Sequence, residues 1–199
     1  MVGGTKNFWF DVIDKINPDL IIANKEENYK EGIEQLMKKY PVWVSDVANF
    51  DQALQMIASV GSITDREAAA ASLTTQIELN FEEPIPAKGK RALYLIWQNP
   101  WMAAGCDTFI HAMLEKIGLI NCVSESRYPT LSENQIRELD PELILLSSEP
   151  YPFQQKHVKK MQEIHPLAHV LLADGEYFSW FGSRMRAAPE YFNHLMADF

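Results

Sequence analysis

The five histidines, His111, His157, His165, His169 and His194, are the first candidates for acid–base or metal chemistry, and none has an Asp or Cys at ligand spacing. His165 and His169 stand at the i, i+4 spacing that can put two imidazoles on one helix face. Pro166 lies between them, however, in a segment that reads as a loop entering a strand, so the pair is expected as two partly exposed loop histidines. There is no Gly-rich phosphate loop, no G-x-S-x-G elbow and no H-E-x-x-H helix, and no nucleophile–base pair can be named. Cys106 and Cys122 are too few for a disulfide framework; they read as two free buried thiols, with a single bridge as the alternative.

Aromatic residues are the stronger signal. Trp97-Gln98-Asn99-Pro100-Trp101 follows a β-forming run, Tyr177-Phe178-Ser179-Trp180-Phe181-Gly182-Ser183-Arg184 follows another, and Trp43 ends a third. Ligands of open parallel sheets bind at the carboxyl ends of strands. Trp43, Trp97, Trp101, Tyr177, Phe178 and Trp180 are therefore candidates to line a site for a large flat or apolar ligand, held between two lobes. The competing reading is that the rings fill a core. Arg184 offers a charge-assisted contact to a ligand carboxylate or phosphate, with pairing to an acidic neighbour as its alternative.

The elements that must position these groups alternate between helical and extended periods. Helices are expected over 7–16, 26–40, 50–60, 107–117, 132–139, 154–164 and from Pro189 onward; strands over 20–23, 42–44, 92–97, 143–146 and 170–173. Thr64-Asp65-Arg66-Glu67 has capping-box spacing and opens an Ala-rich helix to about Phe81, stopped by Glu83-Pro84-Ile85-Pro86. Such alternation predicts an α/β fold with parallel sheets and crossover helices.

An internal similarity divides the chain. Ile16-Asn17-Pro18-Asp19-Leu20-Ile21-Ile22 matches Leu139-Asp140-Pro141-Glu142-Leu143-Ile144-Leu145 in type, at a constant offset of 123 that also aligns Glu26 with Glu149. Both are helix ends that a proline turns into a buried strand. Two related lobes follow: an N-terminal lobe over 1–63, a connecting helix over 64–84 and a C-terminal lobe over 85–199. With only two readable strands, the first lobe is expected to be incomplete, as though a strand–helix–strand unit preceded Met1.

Charge narrows the partners. Eighteen Lys and Arg against 27 Asp and Glu leave a net charge of −9, which argues against nucleic acid, whose phosphates need a basic face. No run reaches the roughly 20 apolar residues of a membrane span, and Met1-Val2-Gly3-Gly4-Thr5-Lys6 lacks the layout of a signal peptide.

Several of these segments resemble the periplasmic substrate-binding proteins of ABC transporters for cobalamin and ferric siderophores, the helical-backbone metal-receptor family. They are Val2–Lys6, Asn17–Asn28, Ser147-Ser148-Glu149-Pro150-Tyr151-Pro152-Phe153 and Asp174–Arg184. The resemblance implies two α/β lobes joined by one long helix, with the ligand (cobalamin, haem or a ferric siderophore) in the cleft and no cofactor. It also implies acidic residues, here Glu149 and the pair Glu26 and Glu27, that meet arginines of the membrane permease, and a periplasmic or cell-envelope location. No bond is made or broken in such a role. The alternative is a cytoplasmic α/β enzyme or ligand sensor using the same cleft.

Overall fold

The computed structural model describes residues 1–82, 87 and 89–197. The chain divides into two compact units, Met1–Asp46 and Val47–Phe199.

The first unit opens with a hairpin of β1 (Gly3–Gly4) and β2 (Asn7–Phe8), followed by α1 (Phe10–Ile16), β3 (Ile21–Asn24), α2 (Lys30–Met37) and β4 (Val42–Ser45). Strands β3 and β4 pair in parallel, with Ile22 opposite Trp43. The hairpin replaces the first turns of the helix expected from Asn7. The second helix starts at Lys30 rather than Glu26, because Asn24 and Asn28 bond the intervening backbone: Glu26 and Glu27 N–H donate to Asn24 Oδ1, and Asn24 N–H donates to Asn28 Oδ1. Phe8, Ile13, Ala23, Ile33 and Leu36 make a small core of this unit.

The second unit begins with α3 (Phe50–Ile63) and α4 (Glu67–Asn80) and continues through β5 (Arg91–Trp97), β6 (Trp101–Ala103), α5 (Phe109–Lys116), β7 (Ile120–Asn121) and β8 (Thr130–Leu131). Then come α6 (Glu133–Glu138), β9 (Leu143–Ser147), α7 (Gln155–Ile164), β10 (His169–Ala173), α8 (Glu176–Ser179), a 3-10 turn (Ser183–Ala187) and α9 (Ala188–Ala197). Its sheet is mixed. Strands β10, β9 and β5 run parallel in that order, and the far edge of β5 is shared, parallel β7 along Arg91–Ala92 and antiparallel β6 from Leu95. β8 extends β6 antiparallel. Every residue of β9 is buried, as a strand covered on both faces requires.

The expected Ala-rich helix is one continuous element, α4, but its start differs. Thr64 does not cap it; its hydroxyl donates back to Val60 O at 2.7 Å, closing α3, and Asp65 takes a left-handed φ of 55° that breaks the helix there. By contrast, Ser132 and Gln135 do form the reciprocal box that opens α6. The Pro-rich stop at 83–86, and with it the end of the segment expected to connect the lobes, lies outside the described residues. Helix α4 packs on α3 and on the 3-10 turn, both in the second unit, so the compact-unit boundary falls at 46/47 rather than at 63/64.

The offset of 123 is realised in backbone geometry. Asn17 and Asp140, each preceding its proline, both adopt the left-handed conformation, with φ of 49° and 44°. Just beyond the strands, Lys25 N–H donates to Ser45 O and Ser148 N–H to Ala173 O, the same bond in each unit.

Helices α3 and α4 approach closely where Gly61 faces Ala70: a Cβ on Gly61 would stand 2.4 Å from the Ala70 Cβ. Gly61→Ala should therefore destabilise the protein by about 1–3 kcal/mol despite the better helix propensity of Ala. Ala70→Gly added to it should restore part of that loss; equilibrium denaturation of the single and double variants measures both.

Candidate functional site

Strand β9 ends in Ser147, and the Ser147 hydroxyl organises the turn beyond it. It accepts from the buried Tyr94 hydroxyl at 3.0 Å and donates to Glu149 O at 2.6 Å, while Glu149 N–H approaches it at 3.4 Å. Burial pushes the Tyr94 phenol far above its ordinary range, so at neutral pH it stays a donor. The corresponding turn of the first unit has Asn24 in place of Ser147, with Glu26 N–H donating to its side chain at 2.9 Å. The two glutamates thus sit at equivalent positions of equivalent turns. Glu27 is exposed, whereas Glu26 and Glu149 are half-buried.

Glu149 is half-buried because the loop after β10 packs on it. Ser179 Oγ lies 2.8 Å from Glu149 Oε1, and Gly175 passes so close that a Cβ there would stand 2.6 Å from Glu149 Cγ and 2.5 Å from Ser147 Oγ. That approach requires glycine for space rather than for conformation. Arg184, on the same loop, lies 4.1 Å over the Tyr177 ring and pairs with Glu176 at 2.8 Å and Asp174 at 3.4 Å. Its charge is met by its acidic neighbours, the alternative the sequence left open. Tyr177 in turn stacks on Tyr191, with ring centroids 4.2 Å apart.

A second aromatic group joins the end of β5 to the loop after β9. Tyr151 meets the edge of Trp97 at 5.4 Å, Phe153 at 4.7 Å and His157 at 5.4 Å, while Phe153 stacks on Trp101. His157 Nδ1 accepts the Gln154 N–H at 2.8 Å at the start of α7, which leaves the proton of the neutral ring on Nε2. Nε2 faces Tyr151 Oη at 3.4 Å, and Tyr151 Oη faces Gln98 Oε1 at the same distance. Tyr151 and Gln98 were not singled out from the sequence, and His157 was considered there only for acid–base or metal chemistry; the Ser147–Phe153 segment and the position beside Trp97 were the available signals.

The six rings proposed from the sequence divide by burial. Trp97 and Trp180 are exposed at 38% and 51%, and Tyr177 is half-buried. Phe178 is fully buried between Tyr94 and Phe192, and Trp101 is 6% exposed beneath Phe153 and Lys160, so these two are core residues that support the loops. Trp43 lies within β4 rather than at its end, half-buried opposite Ile22. His165 is buried at the end of α7 rather than exposed, with Nδ1 unbonded and Nε2 3.7 Å from Asp140. Both cysteines are free, but half-buried rather than buried. Among the described residues, no cluster of three His, Cys, Asp or Glu could hold a metal ion.

The family model described as periplasmic binding protein matches residues 2–170. The chain belongs to the periplasmic binding protein family. Solved structures share its fold at low identity. The periplasmic vitamin B12 binding protein of Vibrio cholerae superposes with a TM-score of 0.75 at 15% identity, over 99% of this chain and 81% of that one. The periplasmic heme binding protein of Vibrio cholerae gives 0.77 at 21%, over 98% and 83%. An ABC-type Fe3+-hydroxamate transport system from Saccharomonospora viridis DSM 43017 gives 0.73 at 20%, over 94% and 71%. No curated protein matches the chain significantly. Among the described residues, no helix is long and apolar enough to cross a membrane.

His157 provides a pH test of the aromatic group. Burial, aided by Lys156 and Lys160, holds its pKa below the ordinary 6.5. Below that pH the unfolded chain takes up a proton that the folded chain resists, so the stabilisation is complete above about pH 6.5 and is lost as pH falls through the lowered folded value. The denaturation midpoint should drop between about pH 7 and pH 5, and His157→Asn should flatten this part of the profile, read by denaturant titration at each pH.

Proposed function

We propose that this chain is the substrate-binding component of an ABC importer, capturing a cobalamin-like or iron-chelate ligand and delivering it to a membrane permease. The observation that carries this reading is the pair of exposed indoles, Trp97 and Trp180, one at the carboxyl end of β5 and one in the loop that follows β10, flanking the Glu149 turn. Parallel sheets bind ligands at that end. Large exposed rings there offer area at little entropic cost. The structural relatives named for vitamin B12, heme and Fe3+-hydroxamate support a metal chelate as the ligand class. Membership of the periplasmic binding protein family supports function in the cell envelope.

Ligand contact is assigned to Trp97, Trp180 and Tyr177 in the second unit. Arg184 holds the Tyr177 ring and its loop in place through its two carboxylate partners rather than reaching the ligand. Glu149, Glu26 and Glu27 are the proposed permease-docking carboxylates, since the repeated turn presents a glutamate at the same step of both units. Capture and release require no bond making.

Titrating the protein with cyanocobalamin, haemin or a ferric trihydroxamate should quench tryptophan fluorescence saturably for one of the three. Trp97→Phe and Trp180→Phe should each weaken that binding about fivefold to thirtyfold. Retention of full affinity by the double variant would overturn the site. Docking has its own measure: at low salt, the Glu26→Ala, Glu27→Ala, Glu149→Ala triple variant should bind permease-containing vesicles more weakly than the parent, and added salt should narrow the difference.

A further inference from the structure

We infer that Tyr151 donates a hydrogen bond to an oxygen acceptor on the rim of the ligand, and that His157 is the residue that positions it; this rests on the binding role proposed above. The phenol stands half-buried against the exposed Trp97, on the loop that joins β9 to α7. Its hydroxyl oxygen lies 3.4 Å from both His157 Nε2 and Gln98 Oε1. Hydroxyl hydrogen bonds ordinarily close to about 2.7–2.8 Å, so neither contact commits the phenol strongly.

The direction of the protons follows from His157. Its Nδ1 is occupied as the acceptor of the Gln154 N–H at 2.8 Å, so Nε2 carries the hydrogen and points it at Tyr151 Oη. The phenol oxygen is thereby an acceptor toward His157 and keeps its own hydrogen to give. Gln98 Oε1, itself buried, is a distant acceptor for that hydrogen. A ligand oxygen at normal distance would displace that long contact with a shorter bond. The ligand class is accordingly a chelate with carbonyl, amide, hydroxamate or carboxylate oxygens at its periphery, laid against Trp97.

Two substitutions at His157 separate its two nitrogens. His157→Gln can place an amide N–H near the position of Nε2 and give up the helix-capping acceptor; His157→Asn can keep the acceptor near Nδ1 and give up the donor. Fluorescence titration with cyanocobalamin, haemin and a ferric trihydroxamate reads the outcome, with circular dichroism and thermal melting confirming that each variant folds. For the probe the parent binds, Tyr151→Phe should weaken affinity about tenfold and His157→Asn several-fold. His157→Gln should bind within about twofold of the parent while melting at a lower temperature. Tyr151→Phe binding as tightly as the parent would overturn the assignment of the phenol alone, and equal losses in both His157 variants would overturn its positioning by Nε2. A parent that none of the three probes quenches would overturn the binding role and this contact with it.

Discussion

Strand β9 is buried along its whole length, and that constraint shapes the loops at its carboxyl end. A strand covered on both faces cannot present its last polar residue to water. Ser147 must find its partners inside, and it finds them in the Tyr94 hydroxyl behind and the Glu149 backbone ahead. The turn beyond β9 is therefore anchored to the core of the sheet by a hydroxyl that both accepts and donates. Once this turn is fixed, the loop after β10 can lie across it, with Gly175 supplying the close approach and Ser148 Oγ accepting the Gly175 N–H at 2.9 Å. Everything exposed at this end of the sheet rides on that anchoring.

The buried rings extend the same logic. Phe178 and Trp101 do not face outward, but each holds an exposed neighbour in position. Phe178 packs between Tyr94 and Phe192 and pins the short helix that carries Tyr177 and leads to Trp180. Trp101 backs Phe153, which backs Tyr151. A ring in the core and a ring at the surface are alternate steps of one structure here, because successive residues of a one-turn helix or a short strand must point in different directions.

What was legible in the sequence follows from periodicity and from the chemistry of turns. The strands of the parallel core announced themselves as apolar runs, and the repeat at offset 123 marked Asn17 and Asp140 as helix ends before proline, though not their left-handed φ, since the residue before proline ordinarily favours extended conformations. The hairpin of β1 and β2, and the antiparallel strands β6 and β8, have two or three residues each and no period to read. The Thr64 box failed for a physical reason: a threonine side chain can bond backward to a carbonyl as well as forward to an N–H, and local sequence does not choose between them. Which rings face inward was not legible either, because the single turn of α8 decides that Phe178 is buried while Tyr177 and Trp180 are not.

The arrangement around Arg184 has a bearing on the medium in which the protein would work. Its guanidinium is answered within one loop by Glu176 and Asp174 and shielded on one side by Tyr177. The field it projects is consequently short-ranged. Pairs at such short range are screened by mobile ions far less than carboxylates standing apart on the surface, so added salt would loosen this loop little.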